Sequence, residues 1–259
     1  MIDWYLLILL IIGFFMGSFL AVVAFRLPRH EQFVFGRSHC DFCDHELKFY
    51  ENIPVLSYIF LHGECRYCHH KISKFIIISE VLTGILFAFS YYLFGFSYDL
   101  IIALGIVALF IIVLITDIVY LIIPDSVLVF FSLYFIGCQI LNIGIINTFM
   151  QVLNGMFLFL LMYFIMLLGN KVFGKESMGG ADIKLMFIFG LILDPIMGCI
   201  SIFIASALAL PISIYLLKAK NERIIPFGPF LVSALLIIFF SKIDIMDIIN
   251  FININYSIY

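Results

Sequence analysis

The fold class this sequence predicts is an all-α polytopic membrane protein of about eight transmembrane helices with one long cytoplasmic loop. Three observations predict it. Hydrophobic residues make up 64% of the 259-residue chain and charged residues only 12%, with a mean hydropathy of +1.20. Soluble domains are about half apolar and a quarter charged, so the bilayer must solvate much of this chain. Apolar runs long enough to cross a membrane recur along it. A single polar island, residues 27–74, interrupts them. The net charge of −3 is small and points to no nucleic-acid partner.

A spanning helix needs roughly 20 apolar residues. Such runs lie near 4–25, 75–95, 99–117, 124–142, 149–169, 195–217 and 227–250, and a shorter one lies at 183–193. The short run ends at Asp194-Pro195, a tight turn, and counts as a short span; seven spans plus a re-entrant segment is the variant. The first run begins without a basic region and ends in Arg26 and Arg29, so it should stay as a helix and not be removed as a leader. The basic residues orient the bundle. Seven lie between 26 and 74, three flank 171–184, three flank 218–223, and Lys242 is left over. With eight spans these three loops share one face. The connections near 95–99, 143–148 and 194–195 contain no Lys or Arg. The positive-inside rule then places the basic loops in the cytoplasm and the N-terminus outside. Three regions follow: a first transmembrane helix (1–26), a cytoplasmic loop domain (27–74) and a membrane domain (75–259).

The loop contains Cys40-Asp41-Phe42-Cys43 and, after 21 intervening residues, Cys65-Arg66-Tyr67-Cys68. Each C-x2-C pair can chelate one metal, and two pairs complete a tetrahedral Zn²⁺ site. Disulfides are not expected in a reducing compartment. A loop this small lacks a core, and metal can supply its folding energy. Four thiolates leave no open position, so the zinc should be structural. The alternatives are free-thiol pairs or a redox dithiol. His69 and His70 adjoin Cys68 and could replace a ligand. Cys138 and Cys199 sit in spans and read as packing residues.

Carboxylates in or beside spans are costly and are functional candidates by default. Here they are Glu80, Asp117, Asp125, Asp182 and Asp194. Asp194 lies on the outer turn. Asp125 follows Pro124 and reads as the N-cap of the fourth helix. Glu80 lies one to two turns inside the second span. Asp117 ends the third span and Asp182 begins the short one, so both fall at the cytoplasmic level. Either alone reads as an interfacial charge. As a pair they can share a proton and activate a water, the arrangement of aspartic proteases. Helix dipoles favour a protonated Asp117 at a helix C-terminus and an ionised Asp182 at a helix N-terminus. Gly179 and Gly180 before Asp182 should allow a backbone turn closed to other residues and a close approach of substrate.

Six segments in order resemble those of the type IV prepilin peptidases, bifunctional leader peptidase/N-methyltransferases of the GxGD aspartyl protease type. They are Gly17-Ser18-Phe19-Leu20 with Arg26-Leu27-Pro28-Arg29; Glu51-Asn52-Ile53-Pro54 within the cysteine loop; Glu80-Val81-Leu82-Thr83-Gly84; Thr116-Asp117 with Pro124-Asp125; Gly179-Gly180-Ala181-Asp182-Ile183-Lys184; and Ile225-Pro226-Phe227-Gly228-Pro229. Two departures stand out. Ala21 replaces the family's Asn, and Ala181 replaces the second glycine of GxGD, which requires a negative φ at that position.

The resemblance implies catalysis by Asp117 and Asp182, with Gly179, Gly180, Lys184 and Pro124 in support. It implies a substrate among prepilins or pseudopilins of a type IV pilus, a competence pseudopilus or type II secretion, cut at the cytoplasmic face of the bacterial inner membrane. It also implies methylation of the new N-terminus by S-adenosylmethionine, with Glu80 and Arg26 as candidate residues. Membrane lipid is the other expected partner. The competing reading is a transporter or channel with functional carboxylates.

Overall fold

A computed structural model describes residues 3–32, 38–40, 42–174, 178–220, 226–243 and 247. These residues are helical, with no β-strand beyond two isolated bridges. Eight α-helices are present among them: α1 (Trp4–Arg26), α2 (Leu56–Phe60), α3 (Lys74–Phe94), α4 (Tyr98–Tyr120), α5 (Asp125–Phe173), α6 (Gly180–Ile192), α7 (Pro195–Lys220) and α8 (Gly228–Ser241). Five of these segments are long and apolar enough to cross a membrane: Trp4–Arg29, Lys74–Phe94, Tyr98–Tyr120, Asp125–Val172 and Pro195–Leu216. Large apolar side chains such as Leu7, Ile8, Ile11 and Phe15 face outward. Lipid is the solvent that suits such a surface, and the chain is a multi-pass membrane protein.

Local signals start and stop these helices. The side chains of Asp3, Ser73 and Ser97 cap α1, α3 and α4 by accepting backbone N–H bonds at 3.2, 3.3 and 3.3 Å. Helix α5 has 49 residues, about 70 Å at 1.5 Å per residue and more than twice the hydrocarbon core. At Gly144 its backbone leaves helical geometry (φ 81°, ψ 167°), so two helical segments meet there. The connection expected over 143–148 shrinks to that one glycine. Its neighbours Ile143, Ile145 and Ile146 carry no turn chemistry and stay helical. Helices α6 and α8 have 13 and 14 residues. Most of the expected run beyond Ile243 lies outside the described residues.

The chain divides into two compact units. The first comprises residues 1–100 with 107–122. In it α1 packs on α3 through glycines. A Cβ on Gly13 would stand 2.6 Å from the Gly84 Cα, and one on Gly17 would stand 2.7 Å from the Glu80 Cα. Close backbone approach of this kind is how small residues join membrane helices. The second unit comprises 101–106 with 123–259. In it α5 packs on α6, where a Cβ on Gly190 would lie 2.5 Å from the Gly155 Cα. The Gln139 amide donates to the Leu191 carbonyl at 3.0 Å within the same contact. Cys138 is half-buried, but Cys199 is exposed on α7 and does not pack inward as expected.

Candidate active site and metal cluster

Asp117 lies in the last turn of α4 and is buried, at 8% exposure. Leu121 ends the helix in the left-handed region (φ 56°), and its N–H donates to the Asp117 carbonyl at 3.0 Å. The fully buried Thr116 turns its hydroxyl back to Ile112 O at 2.9 Å, within its own helix. Tyr120 ties the turn to α1: its hydroxyl donates to Phe25 O at 3.2 Å, and the Arg29 guanidinium lies 5.8 Å from its ring centre.

Asp182 is the third residue of α6 and is also buried. The N-cap is Gly179 with φ −70° and ψ 138°, and Gly180 is the first helical residue. Neither glycine has a positive φ, so the expected turn closed to other residues is not there. What they provide is space. A Cβ on Gly179 would touch Asp182 Oδ2 at 3.4 Å, and one on Gly180 would meet nothing within 4 Å. Ala181 is helical with an ordinary φ, so the missing GxGD glycine does not disturb the placement of Asp182.

Asp125 is not the N-cap expected from sequence. Pro124 holds that position (φ −62°, ψ 133°), and no side chain caps it. Asp125 instead pairs with Lys184 at 2.6 Å, joining the starts of α5 and α6 two residues beyond Asp182. The pair is exposed and supplies register more than energy, about 0–1 kcal/mol. Pro124, Asp125, Asp182 and Lys184 thus belong to the second unit, and Asp117 to the first.

The four loop cysteines converge, with all sulfurs within 4.8 Å of one another. Cys40 and Cys68 Sγ stand 3.8 Å apart. A tetrahedral site with Zn–S of about 2.3 Å requires sulfurs roughly 3.8 Å apart, so the set fits a metal and is too open for a disulfide. The two knuckles are copies 25 residues apart. Cys40 N–H donates to His45 O and Cys65 N–H to His70 O, at 3.0 and 2.9 Å. Asp44 and His69, each following the second cysteine, both turn left-handed, at φ 54° and 55°. The rings cross between copies: Phe42 stacks on His70 at 4.1 Å, and Tyr67 meets His45 at 3.6 Å with the rings tilted by 37°. His70 is therefore a stacking partner, and among the described residues the metal-sized cluster holds cysteines alone. The Cys68 N–H leads in holding the Cys65 thiol down to about 7. The His70 N–H lowers Cys68, but loss of solvent and its neighbouring thiols push it up to about 12. Four sulfurs this close need a cation before all can ionise.

Glu80 is buried, at 4% exposure, on the α3 face against α1. Its Oε2 accepts the Val55 N–H from the loop at 2.7 Å. The Ser18 hydroxyl reaches the same carboxylate. Arg26, at the end of α1, donates to Gln32 O at 3.3 Å and lies 3.5 Å from His39 Nδ1.

Residues 11–94 match the family model described as the bacterial peptidase A24 N-terminal domain, and residues 103–214 match the type IV leader peptidase family. A prepilin leader peptidase/N-methyltransferase of Bacillus subtilis is 34% identical over 186 residues, 72% of this chain and 73% of that protein. This chain belongs to the prepilin leader peptidase/N-methyltransferase family. Proteins of the same description from Stutzerimonas stutzeri and Vibrio cholerae are each 29% identical, over 89% and 92% of this chain and 88% and 97% of theirs. No solved structure matches. Membership makes the chain an enzyme of the prepilin leader peptidase/N-methyltransferase family, and nothing in the comparisons favours a transporter. The leader peptidase match spans both Asp117 and Asp182, while the N-terminal match spans most of α1, the cysteine knuckles and α3.

Sequence reasoning did not find the ring exchange or the Val55 contact in this prepilin leader peptidase/N-methyltransferase family member. The first had a signal, the 25-residue offset that repeats an aromatic and a histidine around each C-x2-C. The second had none, because a backbone N–H carries no residue signature.

Proposed function

We propose that this chain removes the short leader of prepilins or pilin-like precursors with Asp117 and Asp182 acting together, and then methylates the new N-terminal amine. The observation that carries the reading is that two buried carboxylates end and begin helices within the segment matching the type IV leader peptidases. Helix dipoles suit a division of labour, with Asp182 ionised and Asp117 protonated. The ionised carboxylate takes a proton from water as its oxygen attacks the scissile carbonyl. The protonated carboxyl hydrogen-bonds the carbonyl oxygen. The tetrahedral intermediate then collapses, and a proton goes to the leaving amine. An α-helical substrate hides its carbonyls in i to i−4 bonds, so the scissile segment must be extended. The open space at Gly179 and Gly180 suits such a strand beside Asp182.

In this reading the membrane is the bacterial inner membrane, the N-terminus lies outside, and the basic loops lie in the cytoplasm. Counting α5 as two spans and α6 as a short one gives eight. Residues 1–26, 27–74 and 75–259 are then anchor, metal loop and protease domain. Cys40, Cys43, Cys65 and Cys68 hold structural zinc, which crosslinks the two knuckles. S-adenosylmethionine, when bound, supplies an electrophilic methyl group. We assign it to the unit of α1, the loop and α3, with the half-buried Arg26 at its edge and Glu80 beneath.

Purified protein with a prepilin tests the reading. The parent should shorten the substrate on a gel, and mass spectrometry should find one added methyl on the new N-terminus. Asp117→Asn and Asp182→Asn should each leave it uncut. Full cleavage by either variant refutes the pair.

A further inference from the structure

Val55 is a β-branched residue held at φ 63° and ψ −51°. Such residues avoid positive φ, and two contacts hold this one there. The Leu56 N–H donates to Pro54 O at 2.6 Å and closes a strained γ-turn over Val55. Val55 N–H donates at 2.7 Å to a carboxylate oxygen of Glu80, a buried acid on a membrane helix. That acid sits where α1 and α3 touch, opposite Gly17, and within reach of the Ser18 hydroxyl. The Val55 carbonyl in turn accepts from Ile59, and Ser57 and Leu61 continue the ladder of α2. On the other side, the Glu51 carboxylate accepts the Lys48 N–H at 2.9 Å and lies 3.7 Å from Arg66, inside the second knuckle. A continuous path of contacts thus runs from the metal cluster through residues 48–55 to Glu80.

We propose that Glu80 is a positioning residue that fastens the metal-loop segment 53–61 to the α1–α3 pair by helping to hold Val55 in its positive-φ turn. Its part in methylation, which rests on the function proposed above, would then be to fix the loop against Arg26 and not to touch the methyl donor. A carboxylate is suited to this because it is acceptor-only and strengthens the bond to a backbone N–H. Gln keeps an acceptor oxygen at that place, and Ala does not.

The test is hydrogen exchange of the 53–61 segment in the zinc-loaded, full-length protein in nanodiscs. Glu80→Ala should speed exchange of the Ser57, Ile59 and Leu61 amides by roughly tenfold or more, and Glu80→Gln should stay within about threefold of the parent. Adding Val55→Gly to Glu80→Ala should return these amides towards parent protection, because glycine adopts positive φ without steric penalty. Unchanged exchange in Glu80→Ala, or no return with Val55→Gly, overturns the proposal. Gln behaving as Ala does so too. Methylation of a cleaved prepilin, measured alongside, should fall in Glu80→Ala and return in the double variant. Exchange that follows the expected pattern while methylation stays at the parent rate keeps the tether and refutes the assigned methyl-donor region. An intact zinc stoichiometry shows that each variant has folded its loop.

Discussion

Gly190→Ala tests how the α5–α6 contact places Asp182. The added Cβ would stand 2.5 Å from both the Cα and N of Gly155 and 2.6 Å from the Asn154 carbonyl carbon. All three are backbone atoms and cannot rotate away. Carbon contacts settle near 3.5–4.0 Å, so the helices must separate by about 1 Å. Overpacking of this kind destabilises by about 1–3 kcal/mol, while replacing a helical glycine by alanine returns up to about 1 kcal/mol. Stability should therefore fall by about 0–3 kcal/mol. Activity should fall further. Asp182 lies eight residues from Gly190 on the same 13-residue helix, about 12 Å along its axis, and moves with it. A displacement near 1 Å can reduce turnover by about 10²-fold. Single-turnover cleavage of a prepilin in nanodiscs, with a thermal melt beside it, measures both. Gly137→Ala is the control, since its Cβ would meet nothing within 4 Å. Gly190→Ala cleaving as fast as Gly137→Ala refutes this account of how α6 is placed.

Stripping metal with a strong chelator should expose the segment between the knuckles to protease. Metal analysis should find one zinc per chain beforehand and none in Cys68→Ala. Reversing the exposed pair in the double variant Lys184→Asp, Asp125→Lys should restore most of whatever Lys184→Asp alone loses, with a coupling of about 0.2–1 kcal/mol that shrinks in high salt; a coupling cycle run on melting temperature reads it. Tyr120→Phe removes the hydroxyl bond to Phe25 O and should lower stability by about 0.5–1.5 kcal/mol, together with a drop in cleavage as the Asp117 turn loosens. A melt unchanged by this substitution would mean that the hydroxyl does not hold the turn.

The membrane helices were legible because hydropathy, caps and breakers are local. Ser73 and Ser97 mark starts, and Gly95 and Gly174 mark ends with positive φ. The cysteine cluster was legible because chelation fixes spacing. Gly179 and Gly180 were misread because glycine signals two different things, a special φ and an absent side chain, and only coordinates separate them. Asp125 was misread for a related reason. A polar residue beside proline at a helix start looks like a cap, yet its partner Lys184 lies 59 residues away. The break between the two apolar runs of α5 was legible, but its width was not: it narrows to Gly144, where one glycine makes the change of direction in φ and ψ.

The matched knuckles have a mechanical consequence. Isolated bridges pair His39 with Glu46 and Glu64 with Lys71, so each copy closes its own turn, and the crossed rings clip one copy to the other. The chain between Glu46 and Glu64 therefore leaves and re-enters a small clasp at neighbouring points. That interval is built into both ends: the Glu51 carboxylate accepts the Lys48 N–H and lies 3.7 Å from Arg66 of the second knuckle, and Val55 donates to Glu80. The clasp therefore works as a ruler, setting where residues 48–55 start and how far they reach, so a change in the length of the interval would be felt at α3.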